Sequence, residues 1–289
     1  MSKTQNGYDK LKKIEVVDMR RCDFFMDKKE RLITTVYLFF GVVVMFTIFK
    51  VYLSFLAPHI NPLVHDVFRL YLNNIIVPYG IGFPILWLMV RKKPANTTHY
   101  QNKKLTKFGF FKLINLQLGL SVLVSFTTIS VLEFFGFDFI SIPMDYGGKH
   151  LIFYLFLLLI FNPIVEEVLF RKIIFSRLLK WGAKYSILVS SMLFALPHFF
   201  SLGIPIVFST FISGCIWGYV TVKTGRINLA VLLHSLSNFF GIFLPMILSQ
   251  FETGDLAFVL LRVIIIPFFA IIILICNWKK KDFFISKDN

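Results

Sequence analysis

The sequence predicts an all-α, polytopic integral membrane protein of about eight transmembrane helices around a polar intramembrane cavity. Three observations carry that expectation. Hydrophobic residues make up 56% of the chain, including 36 Phe, and only 16% of residues are charged, which is more apolar surface than a soluble fold buries. The apolar residues come in runs of about 20, the length of helix that crosses a bilayer core. The connections between runs alternate between basic and non-basic, as the positive-inside rule requires of a chain that crosses and recrosses a membrane.

Residues 1–32 form an arm rich in Lys and Arg that mixes both charge signs with Phe24, Phe25 and Met26. It reads as a membrane-surface segment or a loosely ordered tail. No short apolar stretch with a cleavage site follows Met1 to Lys13, so no removable signal peptide is expected and the first span serves as the anchor. Spans are expected at 33–57, 69–91 and 113–135, which makes 33–149 a block of three helices. The first connection, Pro58–Phe68, has no Lys or Arg, whereas Arg91, Lys92, Lys93, Lys103, Lys104, Lys107 and Lys112 crowd the second. Asp138, Asp145 and one Lys occupy the third.

Further spans are expected at 150–171, 185–200, 204–222 and 227–249, with a last one at 256–277 in the closing stretch 250–289. Arg171, Lys172, Arg177, Lys180 and Lys184 follow the fourth span, Phe199–Pro205 is uncharged, Lys223 and Arg226 flank the next turn, and Glu252 and Asp255 precede the basic tail Lys279–Lys281. The alternation puts both termini in the cytoplasm and the chain in the cell membrane as a multi-pass protein. It also accounts for the net charge of +15: the cations sit in membrane-flanking loops, and no nucleic-acid partner is indicated. Cys22, Cys215 and Cys276 are too scattered for a disulfide framework or a zinc ribbon. His59, His65, Asp66, His99 and His150 show no ligand spacing and read as solvated loop residues.

Against this background two adjacent acids, Glu166 and Glu167, end an apolar run with Arg171 close behind. Ionisable groups at membrane depth are costly, about 2.5–3.5 kcal/mol each on insertion scales, and mark functional sites. On a helix Glu167 and Arg171 are four apart and share a face, while Glu166 points about 100° away, so one carboxylate is neutralised and the other left available. Pro163 removes a backbone donor and frees a carbonyl beside the acids. The plain alternative is that all three charges snorkel to the cytoplasmic surface. Glu133, near the end of the third span, reads as interfacial. His198 follows Pro197 in the fifth span, and His234 and Asn238 share a face in the seventh. An imidazole and an amide aimed at one spot can stabilise a developing oxyanion; their plain alternative is interhelical hydrogen bonding.

At these residues the chain resembles the CPBP family, which joins the type II CAAX prenyl endopeptidases with the bacterial Abi proteins. The family's motifs are a double Glu, three residues and Arg; a Phe, three residues and His; and a His, three residues and Asn. Glu166-Glu167 with Arg171, Phe194 with His198, and His234 with Asn238 match them in order. Asn162-Pro163, Phe170-Arg171, Gly218-Tyr219 and Lys223-Thr224-Gly225 resemble the family's flanking phrases. The resemblance covers about 150–245 and makes 150–249 the catalytic core; Lys172 stands where the family often has Gly.

The resemblance implies an intramembrane endopeptidase acting on a membrane peptide or a lipid-anchored protein. Carried onto these positions, Glu166 activates water, His198 helps hold or deprotonate it, His234 and Asn238 cradle the oxyanion, and Glu167, Arg171 and Phe194 support the site. A divalent metal such as zinc, held by Glu166, His198 and His234, is one option and a metal-free glutamate mechanism is the other; no HExxH is present. The competing function is a non-catalytic, Abi-type role in bacteriocin self-immunity or partner scaffolding. A transporter would be expected to show internal symmetry, which is not detected.

Overall fold

Three glycines with positive φ, Gly182 at 96°, Gly203 at 84° and Gly225 at 67°, cut the central apolar stretch into successive helices, because each turn needs backbone that side-chain-bearing residues rarely adopt. In the computed structural model, which describes residues 3–95, 100–137, 146–277, 279–280 and 284–285, the helices follow in order. They are α1 (Lys3–Val51, its helical path continuing to Leu63), α2 (Asp66–Val90), α3 (Lys107–Phe134), α4 (Gly148–Trp181), α5 (Ala183–Leu202), α6 (Ile204–Thr224), α7 (Ile227–Leu248) and α8 (Gly254–Asn277). No strand forms among the described residues; Leu105 and Ile285 make only an isolated bridge.

All of these except α5, seven in number among the described residues, are long and apolar enough to cross a membrane. The remaining helix, α5, contains the expected span 185–200. Its 20 residues give about 30 Å of helix, matching a bilayer core. Its inward face is polar, with Ser186, Ser190 and Ser191 fully buried, and it packs along α6.

Two expectations change. The N-terminal arm is not a loose tail: from Lys3 it is helical and continuous with the first span, a stretch that contains no Pro. The fourth helix does not end near Arg171 but continues to Trp181. The side chain of Arg177, expected in a loop, is buried and donates from Nε to the Val90 carbonyl at 2.9 Å, which caps the end of α2.

Lipid tails are as apolar as core side chains, so close packing and interhelical hydrogen bonds hold such a bundle. On α3, a Cβ at Gly119 would come within 2.5 Å of the Ala270 Cβ on α8; glycine allows that approach. Ser121 on α3 meets Ser213 on α6 at 3.0 Å, and the Tyr52 hydroxyl on α1 donates to Asn73 on α2 at 2.7 Å. At the arm end of α1, Asp27 accepts from Trp181 Nε1 at 2.9 Å, Glu30 pairs with Lys180, and Thr35 meets the Tyr185 hydroxyl at 2.6 Å. The first helix therefore grips the turn that joins α4 to α5.

At the opposite face Asp66 is not a solvated loop residue. It opens α2 and pairs with Arg69 at 2.7 Å and with Lys149, at the start of α4, at 2.6 Å. His65 precedes it and accepts from the Val67 N–H at 3.3 Å. His99, Asp138 and Asp145 lie outside the described residues.

Candidate active site

Pro163 sets the local geometry of α4. Lacking an N–H, it cannot bond the carbonyl one turn back, and the preceding turn is widened, with the Asn162 N–H reaching the Leu157 carbonyl. The Leu158 and Leu159 carbonyls are thereby released from the helix. Helix α7 takes both: Asn238 Nδ2 donates to Leu158 O at 2.8 Å and Ser235 Oγ to Leu159 O at 2.7 Å. This docks α7 beside the turn that carries the acids.

The two acids diverge as neighbouring helix positions must. Glu167 is fully buried, its Oε2 lying 3.2 Å from Arg171 Nε. Those two atoms are close but not aligned for a hydrogen bond; charge attraction, rather than a directed bond, joins them. Arg171 is also fully buried, and its two terminal nitrogens donate to Ser190 Oγ on α5 at 3.0 Å and to the Gly214 carbonyl on α6 at 3.2 Å. Ser190 in turn donates to Phe170 O at 2.8 Å. A Cβ at Gly214 would stand 3.1–3.2 Å from Ser191 and the Arg171 guanidinium, so the glycine gives Arg171 room to reach that carbonyl. Burial of Glu167 and Arg171 removes the surface-snorkelling alternative for this pair.

Glu166 faces elsewhere. Its Oε1 accepts from the Tyr79 hydroxyl of α2 at 2.9 Å, and its Oε2 lies 3.8 Å from His234 Nε2. The other ring nitrogen of His234, Nδ1, is 3.3 Å from Glu167 Oε1. One imidazole thus bridges the two carboxylates. With Nδ1 protonated toward Glu167, Nε2 is the atom presented to Glu166.

His234 is held by aromatic rings. Trp217 on α6 stacks on it, with centroids 4.3 Å apart and planes inclined by 18°, and Phe194 on α5 meets it edge-on at 5.7 Å. Trp217 donates from Nε1 to Gln117 Oε1 at 2.7 Å, and Gln117 Nε2 donates to Leu233 O at 2.8 Å. Helix α3 therefore braces both the Trp217 ring and the backbone beside His234. Phe194 also contacts Phe170, His198 and Trp217, and the Arg171 guanidinium lies 5.2 Å from its centroid.

The remaining candidates sit apart from the carboxylates. His198 lies against Phe194, its Nδ1 bonded to the Phe194 carbonyl at 3.1 Å, which leaves Nε2 as its outward atom. Asn238 has one amide proton committed to Leu158. Glu166, Glu167, Arg171 and His234 are therefore brought into one cluster; Phe194 links it to His198, and Asn238 borders it through the freed carbonyl. One turn before Glu166, the buried Asn162 Oδ1 has no partner among the described residues, an acceptor that buried polar groups seldom leave unused.

Zinc needs three or more donors at about 2.0–2.2 Å from one point. Glu166 and His234 are close enough to share an ion, but no three His, Cys, Asp or Glu side chains converge among the described residues. The trio of Glu166, His198 and His234 as placed does not form a zinc site.

A cavity of about 660 Å³ lies beyond Arg171 on the side of the basic connections, bounded by Trp87, Tyr100, Arg171, Lys172, Arg177 and Gly225 among others. Burial pushes the Tyr100 phenol above its ordinary range, so it stays neutral there. A second cavity, about 470 Å³ and largely apolar, has Tyr79, Phe161 and Val165 in its wall and lies beside Glu166. Tyr79, Gln117 and Trp217 escape a reading by motif. Gln117 has a sequence signal, an amide that together with Asn115 interrupts the apolar run Leu113–Leu120; Tyr79 resembles any other aromatic residue in a span.

Fold and site together define a multi-pass membrane protein with a buried acid and imidazole centre. Residues 148–240 match the family model described as type II CAAX prenyl endopeptidase Rce1-like. The segment from α4 into α7, about a third of the chain, is thus similar to an Rce1-like domain. No curated protein and no solved structure was found to match it.

Proposed function

We propose that the protein is an intramembrane endopeptidase that hydrolyses a peptide bond of a membrane-associated peptide or lipid-anchored protein, with Glu166 as the water-activating base. The observation that carries this reading is the 3.8 Å approach of Glu166 Oε2 to His234 Nε2, with Glu167 neutralised by Arg171. That gap is too long for a direct hydrogen bond and suits a bridging water.

In the proposed reaction Glu166 takes one proton from this water as its oxygen bonds to the scissile carbonyl carbon. The carbonyl oxygen becomes an oxyanion, for which the second amide proton of Asn238 and, in the form that carries a proton on Nε2, His234 are the proposed donors. When the intermediate collapses, the carbon–nitrogen bond breaks and Glu166 passes its proton to the departing amine. Tyr79 holds the far oxygen of the carboxylate, His198 Nε2 helps hold the water, and the unsatisfied Asn162 Oδ1 is suited to receive a substrate N–H. The family description names prenyl CAAX substrates, and a prenylated, membrane-anchored protein is the substrate class proposed first.

The test compares wild type and Glu166→Gln, purified in detergent with equal unfolding temperatures, in a mass-spectrometric cleavage assay on prenylated and unprenylated peptides. Cleavage by wild type alone is the expected result, with the variant slowed at least about a hundredfold, the usual scale for losing a general base. A parallel reaction with chelator reads out any metal requirement. Equal cleavage by both proteins removes Glu166 from the mechanism. Absence of cleavage by either, together with bacteriocin protection that survives Glu166→Gln, transfers the reading to the immunity role.

A further inference from the structure

Helix α8 is the most apolar of the candidate spans. It nevertheless carries Arg262, and its only other charged residue, Asp255, stands at its first turn. Arg262 precedes the buried Ile266 by four residues and the buried Ala270 by eight, so it belongs to the stripe of α8 that packs on α3. Its Nη1 is buried and has no acceptor among the described residues. No ion pair to Arg262 forms among them either, although every other guanidinium inside the bundle, those of Arg171 and Arg177, is bonded.

Of the acids deep in the bundle, Glu167 is committed to Arg171 and His234 and Glu166 to Tyr79 and His234; Glu133, at the far end of α3, is exposed and makes no ion pair with Arg262 among the described residues. Asp255, seven residues before Arg262, is exposed and makes no ion pair with it among the described residues. A guanidinium stays charged at any working pH, and an unpaired cation at membrane depth is costly and marks a site. The missing acceptor must therefore come from outside the described residues.

We propose that Arg262 binds the phosphate of a phospholipid headgroup at the α3–α8 seam. Arg262 lies about 12 Å from the start of α8. Helical side chains tilt toward the N-terminus of their helix, so its long stem leads the guanidinium toward the headgroup level at the Gly254 end. A phosphate diester offers two oxygens to the planar fork of an arginine. Its acyl chains can lie along the flanking exposed side chains Val263, Ile264, Ile265, Phe268 and Phe269. An anionic headgroup such as phosphatidylglycerol is favoured over phosphatidylcholine, whose own cation competes for the phosphate. The site lies outside the 148–240 segment and does not depend on proteolytic activity.

The experiment uses the full chain in neutral detergent. Native mass spectrometry counts bound phosphatidylglycerol and phosphatidylcholine on wild type, Arg262→Gln and Arg262→Lys, and thermal unfolding is followed with each lipid and with inorganic phosphate. The expected result is one tightly held phosphatidylglycerol that Arg262→Gln loses, with loss of the lipid-dependent rise in Tm. Arg262→Lys, which keeps the charge but not the fork, should retain the lipid more weakly and carries the test if the Gln variant misfolds. Equal lipid counts and equal Tm shifts in wild type and both variants overturn the proposal. An Arg262-dependent shift as large with inorganic phosphate as with lipid overturns the lipid assignment. Loss of a dimer in Arg262→Gln, with lipid unchanged, names a second copy as the occupant instead.

Discussion

Replacing Tyr79 by Phe removes one oxygen and leaves the ring's edge contact with Phe161, at 5.4 Å between centroids, in place. Glu166 Oε1 then loses its donor, and the carboxylate can swing away from His234. A hydrogen bond to a charged group is worth about 1.5–3 kcal/mol, so Tyr79→Phe should slow the proposed cleavage by roughly 10- to 100-fold with little change in Tm; kcat and unfolding measured on one preparation separate the two. Gln117→Leu should act differently. It strips partners from the Trp217 N–H and the Leu233 carbonyl, and each buried polar group so orphaned costs about 1–3 kcal/mol. A clear fall in Tm should accompany the loss of activity, and an unchanged Tm would remove Gln117 as a brace. The acids and Arg171 were legible in the sequence because their relation is local, fixed by helix periodicity over five residues. Tyr79 and Gln117 were not, because their bonds to Glu166 and Leu233 close over 87 and 116 residues of chain.

Among the elements, α4 and α7 are joined through a defect. Pro163 was legible as a source of a free carbonyl; that two carbonyls are freed and that Ser235 and Asn238 take them depends on how α7 packs. Pro163→Ala restores an N–H that competes with Ser235 for Leu159 O. The variant should stay folded while α7 loosens its hold on α4, which shifts His234 relative to Glu166, and about a tenfold fall in rate is expected, given the sensitivity of catalysis to sub-ångström placement. Full activity in a folded Pro163→Ala protein would separate the carbonyl contacts from the site's geometry. The spans themselves were legible from hydropathy. The ten residues that extend α4 to Trp181 were not, since Lys172, Arg177 and Lys180 read as a cytoplasmic loop, and nothing local signals that Arg177 folds back onto Val90 O.

For the whole molecule, the number of crossings decides where the two ends lie. Seven helices qualify as spans among the described residues. If only these cross, the arm before α1 and the tail after α8 face opposite sides. If α5 crosses too, both ends share a side. Charge favours the second arrangement: the arm, the 91–112 connection, the α4–α5 turn, the α6–α7 turn and the tail all carry Lys or Arg, and with eight crossings every one of them faces the cytoplasm, satisfying the positive-inside rule. With α5 held on one side, the basic α6–α7 turn and tail would face outward. The contacts of Asp27 and Glu30 on α1 with Trp181 and Lys180 at the end of α4 already require those two helix ends to share a face. Labelling of single cysteines by an impermeant maleimide on intact cells tests this. Cysteines placed at Lys29, Lys93 and Lys279 should be protected until the cells are opened, and one at Leu63 should be labelled at once. Protection at Lys29 with immediate labelling at Lys279 would mean that α5 does not cross; the basic turn before α7 would then face outward, against the charge rule.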